Sequence, residues 1–78
     1  MENTIKHLTI LDGLDLTDFY AINLWKYENE IALQGYFTDR NLDIAKSLDV
    51  QLILEGHFLR GYTTTEFGKL KITLSTKE

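Results

Sequence analysis

Glu55 and His57 are the acid–base pair whose spacing best suits catalysis. Two positions apart on a predicted strand, their side chains would share a face. A carboxylate beside an imidazole raises its pKa and orients the ring, as in a catalytic pair or half a metal site. The rest of such a site is missing, since the other histidine is His7 and neither Ser47 nor Ser75 has a nucleophile's setting. We therefore expect a solvated cross-strand pair, and a small enzyme using Glu55 and His57 ranks third among the functions considered.

A second candidate site is the aspartate-rich loop that contains Asp12, Asp15 and Asp18. An EF-hand needs oxygen ligands at positions 1, 3 and 5, a glycine at 6 and a glutamate at 12. Here the glycine comes second, as Gly13, and Asn23 stands where the glutamate should be. The pattern predicts a polar turn in which the aspartates cap neighbouring backbone groups. We expect no metal site, with a weak cation site of another type than an EF-hand as the alternative. Because no Walker, Rossmann or zinc pattern occurs either, we expect no cofactor.

Composition indicates a single globular domain over residues 1–78. There is no cysteine, so no disulfide or thiolate site can form, whereas a hydrophobic content of 44% is enough for a core. Small domains also gain buried area by oligomerising, which makes a homodimer a reasonable expectation. The amino terminus lacks the basic cluster of a signal peptide, and no apolar run approaches the roughly 18 residues of a membrane span. We expect a cytoplasmic protein without a membrane partner.

Alternating apolar residues predict strands over 20–25 and 30–37, joined by a polar hairpin loop at 26–29. Segment 16–25 also fits a helical spacing, although the strand is preferred. Thr38 or Asp39 is predicted to cap a helix that runs to about Leu48.

Val50 to Phe58 is predicted to be one strand, with a bulge or turn near Arg60 suggested by the flanking glycines. Further strands are predicted over 62–65 and 70–74, separated by a turn at 66–68. Segment 4–11 is ambiguous between a short helix and a strand, and the helix is slightly favoured. The expected fold is α+β: a mainly antiparallel sheet of four or five strands with one or two short helices on one face.

Strand parity divides the expected sheet into two unlike faces. The face under the helices is predicted to carry Ile22, Leu24, Ile31, Leu33, Phe37, Leu52, Leu54, Phe58, Leu70, Ile72 and Leu74. The opposite face is predicted to carry Asn23, Trp25, Ala32, Gln34, Tyr36, Ile53, Glu55, His57 and Leu59, with Lys71 and Thr73 at one side.

Large apolar side chains on this opposite face admit three interpretations. Exposed Trp25, Tyr36, Ile53, His57 and Leu59 would form a surface for a protein partner or a second copy of the chain. The same aromatics could instead stack nucleic-acid bases, as on RNA-binding sheets. The third interpretation is a second core layer, covered by the amino-terminal segment or a long loop.

Charge favours the protein partner. The net charge is −4, and eight bases are scattered among twelve acids, whereas phosphate binding needs clustered lysine and arginine. The acids concentrate early in the chain, at Asp12, Asp15, Asp18, Glu28 and Glu30. Such a patch could face a basic groove on a partner, as in small acidic inhibitor domains, some of them encoded by phages. That comparison is an analogy, because no motif is shared, and the favoured interpretation of these acids is a solubilising surface.

The sequence therefore predicts a small non-enzymatic protein-interaction module that self-associates, with an acidic regulator or inhibitor as its sharpest form. The alternative is a nucleic-acid-binding sheet domain that uses exposed aromatics.

Overall fold

The computed structural model describes residues 9–25, 29–66 and 68–76. Its elements confirm the predicted α+β class, with a five-stranded sheet and one α-helix among these residues. In chain order they are a 3₁₀ turn (Thr9–Leu11), β1 (Phe19–Trp25), β2 (Glu30–Tyr36), α1 (Asp39–Ser47), β3 (Ile53–Glu55), β4 (Phe58–Thr65) and β5 (Gly68–Ser75). No helix within the described ranges is long and apolar enough to cross a membrane.

The sheet has the strand order β1-β2-β5-β4-β3. Three neighbouring pairs are antiparallel, and β2 with β5 is parallel. The parallel pair follows from α1, which carries the chain across the sheet to β3 before β4 and β5 return toward β2. A parallel pair requires such a crossover, and a mixed sheet is a small departure from the prediction.

The core lies between α1 and the two central strands. Ile31 and Leu33 on β2 and Leu70, Ile72 and Leu74 on β5 are at most 1% exposed. Ala45 of α1 and Val50 after it pack in the same apolar cluster. The core side of these two strands is buried because each strand has a neighbouring strand at both edges and the helix packs over it.

The helix begins and ends as its sequence predicts. The Thr38 hydroxyl accepts a hydrogen bond from the backbone N–H of Asn41 (3.1 Å), and Asp39 lies in the first turn. The buried Asn41 side chain then donates to the backbone oxygens of Asp18 (3.1 Å) and Tyr36 (2.8 Å). These bonds fix α1 against the ends of the first two strands.

The predicted single strand over 50–58 is wrong. Only Ile53–Glu55 is a strand, and the chain reverses at Gly56 and His57. Gly56 has a φ of 63°, a left-handed conformation that glycine adopts without steric cost and that tight hairpin turns use. Since Glu55 pairs with Phe58 across this turn, Phe58 and Leu59 each lie on the face opposite to the one predicted.

Several residues predicted under the helix are in fact exposed. Ile22, Leu24, Phe37 and Leu54 are each 45% exposed or more. Ile22, Leu24 and Leu54 do lie on the helix side, because they pair with residues of that side, but they belong to the outermost strands. A helix of nine residues is too short to cover them.

Some predictions fall outside the described residues. These concern the helix or strand over 4–8, the loop positions 26–28, Phe67 and any role for His7. Within the described part of segment 4–11, Thr9–Leu11 forms a 3₁₀ turn whose Leu11 is buried.

Candidate protein-interaction surface

The side of the sheet opposite α1 is here called the open face, because no described element packs on it. Cross-strand partners share a face, so the strand register defines its members. They form four rows: Trp25–Glu30–Lys69–Thr64, Asn23–Ala32–Lys71–Tyr62, Gln34–Thr73–Arg60–Ile53, and Tyr36–Ser75–Phe58–Glu55.

Large apolar side chains on the open face are largely in solvent. Trp25, Tyr36, Tyr62 and Ile53 are between 52% and 65% exposed. Tyr20 joins them through a bulge between Phe19 and Ala21, with its ring centroid 5.0 Å from that of Tyr36. Exposed aromatics grouped in this way are typical of interaction sites.

A shallow groove of about 670 Å³ runs across this face. Trp25, Tyr20 and Phe58 contribute aromatic surface to it, while Asn23 and Gln34 offer amide donors and acceptors. Ala32 also lines the groove, and its small side chain leaves space between the larger ones. The surface is therefore concave, with apolar patches and polar groups that can form hydrogen bonds.

Four of the five charged groups of the open face form two ion pairs. A guanidinium nitrogen of Arg60 lies 3.7 Å from a carboxylate oxygen of Glu55, and the guanidinium carbon is 5.2 Å from the Phe58 ring centroid. Lys69 lies 4.0 Å from Glu30, and its ammonium is 4.3 Å from the Tyr62 ring centroid. These exposed contacts contribute little stability each, but they hold the cationic groups over the aromatic ones.

Counting Lys71, the open face has three bases against two acids, on a chain whose net charge is −4. The helix is neutral, since its two aspartates are balanced by one arginine and one lysine, whereas the loop before β1 carries Asp12, Asp15 and Asp18 and no base. The open face and this loop therefore differ in the sign of their charge.

The predicted binding residues separate in the structure. Trp25, Tyr36 and Ile53 lie on the open face. Leu59 does not, and its expected position is wrong: it pairs with Leu74 and packs against the core. His57 lies in the turn between β3 and β4, not on the strand as expected, and is exposed.

Sequence reasoning missed Tyr20, Phe58, Arg60 and Tyr62 as members of the open face. The useful signal was Gly56, because a two-residue turn there reverses the strand and sets which residues of β4 lie on each face. Tyr20 depends on the bulge in β1, for which the sequence gives no comparable signal.

The predicted acidic patch is divided. Asp15 and Asp18 are neighbours in the loop before β1, lying 3.5 Å and 3.7 Å from nitrogens of Arg40. Asp18 also accepts a hydrogen bond from the Thr38 hydroxyl (2.8 Å). Asp12 belongs to the same loop. Glu30 is on the open face instead, and Glu28 lies outside the described residues.

Asp15 has a lowered pKa. The Thr17 hydroxyl and backbone N–H both donate to its carboxylate, which favours the charged form, and Arg40 adds a smaller attraction. We expect Thr17→Ala to raise the pKa of Asp15 toward its ordinary value, as measured by NMR titration of the carboxyl carbon. A lowered folded-state pKa stabilises the fold at neutral pH, and this contribution is lost as pH falls through it. Thr64→Ala, on the open face, is the control and should leave the titration unchanged.

Glu55 and His57 do not form the pair considered from sequence. The described ion-pair partner of Glu55 is Arg60, and the turn separates the glutamate's strand position from the histidine. Among residues 9–25, 29–66 and 68–76 there is no group of three histidine, aspartate or glutamate side chains placed to hold a metal.

Comparisons with family models, curated proteins and solved structures found no match to this chain. The fold and the surface define a small α+β domain with one sheet face that is aromatic, concave and uncovered by described elements.

Proposed function

We propose that this chain is a non-enzymatic protein-interaction module that binds a partner protein through the open face and also associates with itself. One observation carries the proposal: Trp25, Tyr36 and Tyr62 are each more than half exposed on a single concave face. Exposed aromatic rings contribute most when a partner removes them from water.

The composition of the open face matches that of protein interfaces. Binding energy concentrates in tryptophan, tyrosine and arginine side chains near the centre of an interface, surrounded by polar groups. Here Trp25 and Tyr36 are the proposed anchors, and Arg60 lies between the aromatic rows. Asn23 and Gln34 would supply hydrogen bonds in the groove.

The charge distribution favours a partner whose contacting surface is neutral or mildly acidic, because three bases of the open face would meet it. The acidic-inhibitor hypothesis has less support. The Asp15 and Asp18 carboxylates already form ion pairs with Arg40, and Glu30 lies on the other side of the sheet. A partner with a basic groove would therefore meet only part of the predicted patch.

The proposal is tested by affinity capture from nuclease-treated lysate with wild type and a Trp25→Ala, Tyr36→Ala variant. We expect one defined partner to be captured by wild type and lost by this variant. The matched control is Phe37→Ala, Leu54→Ala, which removes two exposed apolar side chains outside the open face. Equal capture by all three proteins, each with native circular dichroism, would contradict the proposal.

A nucleic-acid-binding function is the second candidate, and one observation favours it. The structure interleaves Arg60, Lys69 and Lys71 with the aromatic side chains of the open face, which is how single-stranded nucleic acids are bound. The opposing observation is that Glu55 lies beside Arg60 and Glu30 beside Lys69. Titration of labelled single-stranded oligonucleotides at two salt concentrations separates the candidates, because phosphate contacts weaken steeply with salt.

A further inference from the structure

Strand β1 forms one edge of the sheet, and its sequence lacks two of the features that protect such edges. Its seven residues, Phe19–Trp25, include no charge and no proline. Natural edge strands are usually short, charged, bulged or covered, because their free backbone groups pair readily with another strand. The bulge of β1 lies at its first residues, so the segment from Ala21 to Trp25 remains regular.

The direction of the backbone groups in β2 follows from its two ends. The N–H of Lys69 donates to the oxygen of Asn29 (2.9 Å), and the N–H of Phe37 donates to the oxygen of Ser75 (3.0 Å). Odd-numbered positions of β2 therefore direct their backbone groups toward β5. Because these groups alternate along a strand, even-numbered positions direct theirs toward β1.

This parity identifies the backbone groups of β1 that point away from β2. Ala32 is an even position and faces Asn23, so the backbone groups of Asn23 point toward β2. The N–H and C=O groups of Ile22 and Leu24 then point away from β2, at the edge. Their side chains are also 48% and 45% exposed, on the helix side.

We propose that two copies of this chain pair antiparallel through β1, giving a continuous ten-stranded sheet around a two-fold axis. With Asn23 opposite its counterpart, Ile22 of each copy lies opposite Leu24 of the other. That register satisfies the outward backbone groups of both residues and covers the side chains that α1 leaves exposed.

A second copy is the occupant that these residues fit. The pairing is self-complementary, since each apolar side chain meets an apolar one and no charged side chain of β1 faces its like across the axis. Both open faces would lie on the same side of the joined sheet, which doubles the surface available to a partner. The inference rests on the self-association part of the proposed function and not on partner binding.

Light scattering and sedimentation over a range of protein concentrations test this pairing. We expect a dimer for wild type and a monomer for Leu24→Lys, which places a charge at the pairing, and for Leu24→Pro, which removes an outward N–H but no bond to β2. The matched control is Leu54→Lys, the same change at the opposite edge on the same side of the sheet. It should stay dimeric.

The salt dependence of dimerisation distinguishes the apolar β1 pairing from an interface held by ion pairs. Two copies of charge −4 repel each other, whereas the β1 pairing involves no charge. We therefore expect the dimer to persist or strengthen at high salt.

Each outcome decides a separate point. A wild-type monomer at every concentration would overturn both the pairing and self-association. A dimer that survives both Leu24 variants would overturn the pairing alone, and self-association would stand. Hydrogen exchange adds a check, since the Ile22 and Leu24 amides should be protected only at concentrations where the dimer forms. Protection that does not depend on concentration would show that the chain covers its own edge, and would overturn the proposal.

Discussion

Gly61→Ala is expected to lower the free energy of unfolding by about 3 kcal/mol, the upper end of the cost of overpacking a core. At Gly61 the segment after α1 crosses directly over β4. A methyl group there would overlap the carbonyl oxygen of Gln51 and lie 3.0 Å from a methyl carbon of Val50. The obstacle is backbone, which cannot rotate aside as a side chain can. For a domain of this size the loss is a large share of total stability, and urea denaturation measures it.

Gly56→Ala is the matched control for this effect. Gly56 has a positive φ, but a methyl group there would meet no described heavy atom within 4 Å. Only backbone strain applies, at about 1 kcal/mol. If the two variants were equally stable, the close crossing over β4 would be contradicted.

Trp25→Ala is expected to weaken binding of the partner by about 30-fold, which corresponds to the roughly 2 kcal/mol of an interface hot spot. The reason is that Trp25 offers the largest side chain on the open face and is 54% exposed before binding. Titration calorimetry with the purified partner gives the affinity. Because the side chain lies outside the core, the melting temperature should change little.

Leu54→Ala is the control for Trp25→Ala, since Leu54 is more exposed but lies on the helix side. The Leu54→Ala variant should bind the partner with the same affinity as wild type. A Trp25 variant that binds normally, or a Leu54 variant that binds as weakly, would remove the open face from the account of binding.

The parts of the fold that could be predicted are those coded locally. The β1–β2 hairpin and β5 follow from alternating apolar residues, and α1 follows from Thr38 as its cap. Local patterns predict these elements because buried side chains recur about every 3.6 residues in a helix and every two residues in a strand.

The remaining features of the fold depend on packing between distant segments or on the conformation of a single turn. The turn at Gly56 lies within an apolar run, so periodicity alone joined two strands into one and inverted the parity of Phe58 and Leu59. The exposure of Ile22 depends on how far α1 extends over the sheet, which no local pattern records. The parallel pairing of β2 with β5 joins strands distant in sequence.

As a result, only part of the open face could be predicted. Trp25 and Tyr36 belong to the hairpin whose two faces the alternating pattern predicts. Arg60 and Tyr62 belong to the strand whose parity was inverted, so the cationic character of the face emerged only from the structure.

The most direct test of the central claim is site-specific photo-crosslinking to the bound partner. A photoreactive phenylalanine is placed at Tyr62, on the open face, or at Lys46, which is exposed on α1. If the partner binds the open face, a cross-linked complex forms from position 62 and none from position 46. Cross-linking from position 46 but not from position 62 would show that the partner binds the helix side, and would contradict the proposed function.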